Sequence, residues 1–432
     1  MPSLRHFWQK MIVVPVAVGL TGSVLAATPV NGSSVFANTT DGTTIAENSN
    51  NKNQKPVANN PTGAATAVKP STMTALNPVA PVLNANGYYL QDVYSGNTLA
   101  SQNPDKRMQP ASLTKLMTLY LTFEALQAGR IHINDLVPIS VNAWKTGGSR
   151  MFLKVGDQIS VSDLIDGIII DSGNDACVAL AEDIGGTESS FVNLMNEQAQ
   201  LLGMKNTHYM DCTGLPDPQH YTTPRDMAIL TRALIVNFPQ YYPLFAQKTF
   251  TFNNITQPNR NRLLWRDPTV DGLKTGHTDE AGFCLIASAQ RNGMRVVSVL
   301  LGAPTDEMRA EYSEELLNYA FRFYETHKVY SANRVIEQVP VYMGKSHVVP
   351  IGVTNDFYIT VPNGQFSNVN MNLQVKTPLN APLKQGQKVG TVTATINDKE
   401  IANVDLVALT QVKEGNIFSR MIDRVKLSIS KI

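Results

Sequence analysis

Strand-like segments at both ends of the first globular region, with helix-like segments between them, limit the folds open to this chain. The first strand pattern covers 86–100, and the last two cover 282–290 and 294–302, on either side of an Asn292-Gly293 turn typical of hairpins. The predicted helices, marked by apolar residues at helical spacing, are 113–121, 163–170, 176–184, 190–202 and 306–324. Neighbouring strands of one sheet must therefore come from distant parts of the sequence, which predicts an α+β domain over 79–330.

Residues 331–411 differ in character from the region before them. Short runs rich in β-branched residues are separated by turn sequences such as Pro362-Asn-Gly. This pattern predicts a small all-β domain, a sandwich. The segment carries no constellation of catalytic residue types, and we expect it to act as a spacer or as a surface for a partner.

Residues 412–432 are predicted to form an amphipathic helix. Its apolar face consists of Ile417, Phe418, Met421, Ile422, Val425, Ile429 and Ile432. Its other face carries Arg420, Arg424, Lys426 and Lys431 against the single acidic residue Asp423. The charges forbid a membrane span, so we expect the helix to lie in a membrane interface. The alternative is a terminal helix that docks on its own protein.

The N-terminus has the pattern of an export signal over residues 1–27. A basic start precedes the apolar run 11–20, and the small residues up to Ala27 fit a cleavage site. The apolar run is shorter than the ~20 residues of a spanning helix, although an uncleaved anchor is the alternative. Residues 28–78 are rich in Asn, Thr, Ala, Ser, Gly and Pro, which predicts a disordered leader. We expect an exported protein at the outer face of the cytoplasmic membrane.

Composition excludes several classes of function. A formal net charge of +1 gives no basic face for nucleic acid. Cys177, Cys212 and Cys284 are widely spaced, which argues against a zinc ribbon and a disulfide framework. The seven histidines lack ligand spacing, so we expect neither a metal nor another cofactor.

Three short motifs occur in a defined order along the first domain. They are Ser112-Leu-Thr-Lys115, Ser172-Gly-Asn174 and Lys274-Thr-Gly276. Each is weak alone, because Ser428-Ile-Ser-Lys431 repeats the first and Lys145-Thr-Gly repeats the third. The second copy of the first motif lies on the terminal helix, beyond every candidate partner. Lys145-Thr-Gly precedes Ser172 and is followed by no strand pattern until Met151, so order and context select the first set.

These residue types suit nucleophilic catalysis. A serine hydroxyl needs an adjacent base, and positions i and i+3 of a helix share a face, so Lys115 can reach Ser112. Pro110 suits a helix start, where exposed N–H groups favour developing negative charge. Lys115 can act as a base only when neutral, and a dry pocket containing Lys274 would lower its pKa.

The ordered motifs resemble those of β-lactamases and penicillin-binding proteins. From residue 84 to 432 the chain is similar to the low-molecular-mass, penicillin-binding protein five-like D-alanyl-D-alanine carboxypeptidases. The likeness includes the segments Ser172–Leu180, Asn259–Trp265 and Val270–Thr278. The resemblance implies a transpeptidase-like domain with an antiparallel sheet, flanking helices and a helical subdomain, followed by the β domain and the terminal helix. It implies removal of the terminal D-alanine from peptidoglycan pentapeptide stems, inhibition by β-lactams, and a role in cell wall biogenesis.

By this resemblance Ser112 is the acylated nucleophile and Lys115 its base. Ser172 would relay a proton, and Asn174 would contact the substrate peptide. Structural hydrogen bonding is the alternative role for Asn174.

The resemblance also implies a binding site for the terminal carboxylate of the substrate, formed by Lys274, Thr275, Gly276 and His277. Arg260 would support that carboxylate, or else serve as a structural hydrogen-bonding residue. The backbone N–H groups of Ser112 and His277 would form the oxyanion hole.

Two cysteines bear on the resemblance. Cys177 matches a family cysteine near the cleft, although a buried apolar role suits it better than a functional thiol. Cys212-Thr-Gly-Leu departs from the His-Gly-Leu of the family's best-known member, which leaves the role of this loop open.

Two rival functions fit part of this pattern. A β-lactamase needs a glutamate that activates water, and Glu314-Glu-Leu-Leu-Asn318 matches the usual letters. That copy follows Lys274 on the helix that closes the domain, where it cannot reach the cleft. A non-catalytic cell-wall-binding protein would not need complete motifs.

Overall fold

The computed structural model describes residues 79–429, with side chains described as far as Leu427. The predicted signal peptide and leader, residues 1–78, lie outside the described residues, as do residues 430–432 of the predicted terminal helix.

A five-stranded antiparallel sheet forms the centre of the first domain, with the strand order β2-β1-β9-β8-β7. The strands of this domain are β1 (Gly87–Asp92), β2 (Thr98–Gln102), β3 (Leu136–Pro138), β4 (Gln158–Ser160), β5 (Thr249–Phe252), β6 (Ile255–Pro258), β7 (Val270–Thr278), β8 (Gly282–Arg291) and β9 (Met294–Ala303). β1 pairs directly with β9, so the predicted sheet built from distant segments is confirmed.

Eight helices surround this sheet. They are α1 (Lys115–Gln127), α2 (Val141–Lys145), α3 (Val161–Asp166), α4 (Asn174–Gly185), α5 (Glu188–Leu202), α6 (Pro224–Asn237), α7 (Leu263–Arg266) and α8 (Asp306–Phe323). Five of them begin after a hydroxyl residue whose oxygen accepts a hydrogen bond from a first-turn N–H, namely Ser140, Ser160, Thr187, Thr223 and Thr305. These caps explain why the helices begin where they do.

The two faces of the sheet bury different cores because strand residues alternate between faces. Val297 and Val299 of β9 join the larger core, to which α1 and α4–α6 contribute. Val296 and Leu300 join the smaller core formed with α8. The sheet is therefore covered on both sides, and α8 lies on the face opposite the helical subdomain.

Three local differences from the predicted elements concern the cleft. Ser112 lies in a 3₁₀ turn, Ala111–Thr114, and α1 begins at Lys115. The helix predicted over 163–170 is divided in two. The α-helix α3 stops at Asp166, and a π-helical turn, Gly167–Asp171, follows it directly. Lys274 lies within β7, an edge strand that the sequence pattern did not mark.

The second domain is built from strands, as predicted, with one 3₁₀ turn at Phe366–Asn368. Its first strand begins at Tyr324, before the predicted boundary at residue 331. Its strands are β10 (Tyr324–Tyr330), β11 (Glu337–Tyr342), β12 (Val348–Gly352), β13 (Phe357–Pro362), β14 (Asn370–Val375), β15 (Leu379–Asn380), β16 (Lys388–Ile396) and β17 (Lys399–Ala408). Six form a sheet in the order β14-β16-β17-β12-β11-β15, and β10 pairs with β13. Val349, Ile359 and Val392 belong to the core that these strands share.

Polar contacts and a ring stack join the two domains. The Thr326 hydroxyl donates to the Asp92 carboxylate at 2.9 Å, and the Ser95 and Thr360 hydroxyl oxygens lie 2.6 Å apart. Nearby, the rings of Tyr94 and Tyr358 stack with centroids 4.9 Å apart. These contacts fix the β1–β2 turn of the first domain against β10 and β13.

The terminal helix α9 (Ile417–Ile429) turns its apolar side chains outward. Phe418 is 79% exposed and Ile417 is 73% exposed. Asp423, expected on the polar face, is buried instead and accepts a hydrogen bond from the backbone N–H of Met343 at 2.6 Å. The helix thus docks on the β domain through a polar contact. Within residues 79–429, no helix combines the length and apolarity needed to cross a membrane.

Candidate active site

Ser112 and Lys115 meet at the start of α1. The 3₁₀ turn followed by the helix places Lys115 three residues after Ser112, and the Lys115 Nζ lies 3.0 Å from Ser112 Oγ. Lys115 is completely buried, while Ser112 is partly exposed. An accessible hydroxyl therefore contacts a side chain amine that is shielded from water.

The loop 211–214 supplies a second partner for this amine. Lys115 Nζ donates to the backbone carbonyl oxygen of Thr213 at 2.6 Å. One turn further along α1, the Thr118 hydroxyl donates to the carbonyl oxygen of Cys212 at 2.7 Å. Sequence reasoning missed the Thr213 carbonyl, because a backbone acceptor leaves no signal in residue type.

The second motif follows the π-helical turn. Ser172 ends that turn in the left-handed region, with φ of 60°, and its Oγ accepts a hydrogen bond from Lys274 Nζ at 2.9 Å. Asn174 begins α4 and donates from Nδ2 to the carbonyl oxygen of Gly147 at 2.6 Å. The Asn174 Oδ1 atom is buried and has no hydrogen-bond partner among the described residues. A ligand N–H would satisfy this acceptor.

The third motif lies in the edge strand β7. Lys274 is almost fully buried, and its Nζ also donates to the carbonyl oxygen of Thr275 at 3.2 Å. A Cβ atom at Gly276 would lie 3.1 Å from the Pro110 carbonyl oxygen and 3.2 Å from the Ser112 backbone nitrogen. The glycine therefore permits β7 to pack closely against the turn that carries Ser112.

His277 and Arg260 lie at the exposed margin. The His277 ring packs on Phe283 with centroids 4.0 Å apart. Arg260 is exposed and donates from Nη1 to the Ser149 hydroxyl at 2.9 Å. Among residues 79–429, neither side chain forms a hydrogen bond with Ser112. The charge of Arg260 nevertheless lowers the pKa of both lysines.

Burial is the main cause of the altered acidity of both lysines. It lowers the pKa of Lys115, and the charge of Arg260 lowers that pKa further. It also lowers the pKa of Lys274 to well below its usual range, with added repulsion from Lys115, Arg260 and Arg309. Of the two causes expected from the sequence, the dry pocket and the charge of Lys274, the dry pocket is the main one for Lys115.

Arg309 was not foreseen from the sequence. It lies in α8, is buried, and donates from Nη1 to the Gly276 carbonyl oxygen at 3.3 Å. Its guanidinium also forms an ion pair with Asp306. The residue supports β7 from the side of the smaller core, and nothing in its local sequence separates it from other helix arginines.

Comparisons with known proteins agree with this geometry. The sequence pattern of the D-alanyl-D-alanine carboxypeptidase family matches residues 73–305, and that of the penicillin-binding protein 5 C-terminal domain matches residues 324–414. The chain is 44% identical to D-alanyl-D-alanine carboxypeptidase DacC of Escherichia coli over 81% of this chain and 89% of that protein. The crystal structure of penicillin binding protein 5 from Haemophilus influenzae superposes with a TM-score of 0.74 at 43% identity, covering 78% of this chain and 100% of that one.

The chain belongs to this carboxypeptidase family. It is a serine-type D-alanyl-D-alanine carboxypeptidase, a hydrolase with the fold of penicillin-binding protein 5. A more distant relative, DacF of Bacillus subtilis, is 36% identical over 75% of this chain and 85% of that protein.

The glutamate that would suit a β-lactamase lies away from the motifs in the carboxypeptidase. Glu314 is in α8, where it lines a surface cavity with Val79, Pro81 and Tyr319. Lys115 and Ser172 lie on the helical-subdomain side of the sheet, so the match of letters at 314–318 is accidental.

The three cysteines of the carboxypeptidase are all buried and unpaired. Burial raises the pKa of the Cys177 thiol to about 12, so it remains protonated at neutral pH. Cys177 therefore packs as a small apolar residue close to the lysines, in line with its expected structural role.

Proposed function

We propose that Ser112 is the acylated nucleophile and that neutral Lys115 is its base. The observation that carries this proposal is the 3.0 Å distance between Lys115 Nζ and Ser112 Oγ, with the lysine wholly buried. Burial favours the neutral amine, whose lone pair can accept the Ser112 proton.

Acylation would proceed with the following transfers. Ser112 Oγ attacks the carbonyl carbon of the penultimate D-alanine while its proton passes to Lys115. The C–N bond to the terminal D-alanine then breaks. The leaving amine takes a proton from the Ser172 hydroxyl, which receives in turn the proton held by Lys115, so that Lys115 becomes neutral again. Water later hydrolyses the Ser112 ester and releases the shortened stem peptide. The hydrogen bond from Lys274 Nζ to Ser172 Oγ supports this relay, because it occupies an acceptor site on Oγ and leaves the Ser172 O–H free to donate.

The carboxylate of the terminal D-alanine would bind beside Lys274, Thr275 and His277, with Arg260 adding positive charge. Burial and the charges of Lys115 and Arg260 lower the pKa of Lys274 to well below its usual range. A bound carboxylate would stabilise the Lys274 ammonium, and the resulting repulsion would keep Lys115 neutral. Substrate binding thus favours the protonation states that acylation needs.

The oxyanion would be held by the backbone N–H groups of Ser112 and His277. The close packing of Gly276 on the Ser112 turn supports this placement, because it brings the end of β7 next to the Ser112 nitrogen. Asn174 Oδ1, which lacks a protein partner among the described residues, would accept an N–H of the substrate backbone.

β-Lactams would act as covalent inhibitors at the same serine. A structure of Penicillin-Binding Protein D2 from Listeria monocytogenes in the ampicillin-bound form aligns with 56% of this chain at 32% identity, with a TM-score of 0.52. A β-lactam ring opened by Ser112 keeps its leaving amine tethered, so the amine cannot diffuse away as D-alanine does.

Each part of the chain would have a separate role. Residues 79–330 carry catalysis, 331–411 act as a spacer, and 412–432 attach the enzyme to the outer face of the cytoplasmic membrane. The outward apolar side chains of α9 support attachment, since the contact through Asp423 leaves them uncovered. Export follows from the signal pattern of residues 1–27 and agrees with the cell-wall substrate.

Two measurements test the catalytic proposal. Mass spectrometry of products from a pentapeptide stem should show loss of one D-alanine, and a fluorescent penicillin should label the wild-type chain. Ser112→Ala should abolish both signals, whereas Ser101→Ala, a change of an exposed serine in β2, should retain them. Labelling that persists in Ser112→Ala would assign the nucleophile to another residue.

A further inference from the structure

A network of hydrogen bonds around the partly buried Asp211 and the buried His220 adjoins the loop 211–214. Asp211 Oδ1 accepts hydrogen bonds from the Thr213 backbone N–H at 2.6 Å, the Thr213 hydroxyl at 2.8 Å and the Gly214 N–H at 2.6 Å. Three hydrogen bonds to one carboxylate oxygen thus hold the loop in a tight turn. In this conformation the Thr213 carbonyl oxygen accepts a hydrogen bond from Lys115 Nζ.

His220 connects this loop to the turn that carries Ser112. Its ring is buried, and Nε2 lies 2.9 Å from the Thr114 hydroxyl oxygen. Its Nδ1 lies 3.4 Å from Asp211 Oδ2 and 3.5 Å from the Met210 backbone nitrogen. The imidazole therefore bridges Asp211 and the residue that immediately precedes Lys115.

Gly214 brings the two backbones into direct contact. A Cβ atom at this position would lie 1.8 Å from the Ala111 carbonyl oxygen, and the residue has φ of +90°. No other residue fits both constraints. The loop is thus fixed to the Ser112 turn by backbone packing and by the bridge through His220.

We propose that Asp211 and His220 are positioning residues that hold the Thr213 carbonyl against Lys115, so that the amine lone pair faces Ser112. A neutral amine has two N–H donors and one lone pair. If one N–H is held by the Thr213 carbonyl, the lone pair can be directed at the Ser112 hydroxyl. Because it takes Lys115 as the base, this role rests on the proposed function.

The electrostatic state of Asp211 agrees with a role as a fixed acceptor. Burial alone would raise the pKa of Asp211, but hydrogen bonding and charge from His220, with the donors on Gly214 and Thr213, hold that pKa well below its usual range. The carboxylate therefore stays ionised while the loop is closed.

The test is the first-order rate constant of acylation by a fluorescent penicillin, measured with the labelled fraction at saturation. Asp211→Ala and His220→Ala should each slow acylation of the active fraction by about ten- to a hundredfold, the cost of a misplaced catalytic group. Asp211→Asn and His220→Gln keep a polar atom for the loop donors and for Thr114, and both should recover most of the rate. A purely structural role would lower the labelled fraction and leave the rate constant of that fraction unchanged.

Asp217→Ala is the matched control, since the Asp217 side chain accepts the Gln219 N–H at 2.7 Å, and the substitution keeps the backbone carbonyl that accepts the His220 N–H. It should leave the rate unchanged. If Lys115→Ala abolishes acylation while Asp211→Ala and His220→Ala acylate at the wild-type rate, the positioning role is wrong and the proposed base stands. If Lys115→Ala acylates normally, the proposed function itself is wrong.

Discussion

The Nζ atom of Lys274 donates to the Ser172 hydroxyl at 2.9 Å, across 102 positions of sequence. This contact joins the second and third motifs, in the same way that Lys115 joins the first motif to the loop 211–214. Each lysine thus links two segments of the cleft, and the two lysines repel one another. The cleft is therefore built around two buried amines.

Removal of the Lys274 amine should slow catalysis. A hydrogen bond to a charged group contributes about 1.5–3 kcal/mol, so Lys274→Ala should lower kcat/KM for D-alanine release by about ten- to a hundredfold. Lys145→Ala, in the second Lys-Thr-Gly sequence at an exposed helix end, is the control and should match the wild-type value. Equal kcat/KM values for Lys274→Ala and the wild type would show that the Lys274 amine does not bind the substrate carboxylate.

The rate of acylation should rise with pH as Lys115 loses its proton. Burial and the charge of Arg260 lower the pKa of Lys115, so the midpoint of this rise should lie below the 10.5 of an ordinary lysine. Arg260→Gln removes one of the lowering charges and should move the midpoint to higher pH. Stopped-flow acylation across pH measures both midpoints.

Arg266→Gln is the control for charge alone, because Arg266 is exposed and pairs with Glu307. Its pH profile should coincide with that of the wild type. If the pH profile of Arg260→Gln also coincided with that of the wild type, the charge of Arg260 would not lower the pKa of Lys115.

Asp171 should make stability depend on pH. Burial raises the pKa of Asp171 from 3.8 to about 7, so the folded state binds this proton more tightly than the unfolded state. The stability that this proton contributes is complete below pH ~4 and is lost as pH rises through about 7. The amide side chain introduced by Asp171→Asn cannot lose a proton. The unfolding midpoint of the variant minus that of the wild type should therefore increase as the pH is raised from 4 to 8. A difference that is constant over this range would contradict the raised pKa.

The apolar face of α9 should bind anionic lipid. Burial of a large apolar side chain contributes about 1.5–3 kcal/mol, so Phe418→Ala should weaken binding to vesicles containing phosphatidylglycerol by about tenfold or more. Val335→Ala changes a side chain that is 56% exposed in the β domain and should leave binding unchanged. Sedimentation with vesicles measures both, and equal loss in the two variants would argue against a specific role for α9.

The pattern of residues was enough to predict what depends on local geometry. The contact of Lys115 with Ser112 follows from their spacing at the start of a helix, and the β8–β9 hairpin follows from Asn292-Gly293 and the alternation on either side. The terminal helix was equally clear from its periodicity. These features need no knowledge of how distant segments pack.

Features that depend on tertiary packing were not foreseeable in the same way. The sequence did not mark β7 as a strand, because Lys274, Thr275 and Gly276 interrupt its apolar pattern. The carbonyl of Thr213 and the bridge through His220 depend on a loop whose departure from the familiar His-Gly-Leu left its role open. The burial of Asp423 depends on a single N–H of another domain.

The paired hydroxyls and stacked tyrosines between the two domains have a consequence for where the enzyme can work. These contacts oppose hinge bending between the two domains. If α9 lies on the lipid surface as proposed, the length of the β domain sets the distance from the membrane to Ser112. The enzyme would in that case trim only stem peptides in the layer of the wall at that distance, and a longer β domain would shift that layer.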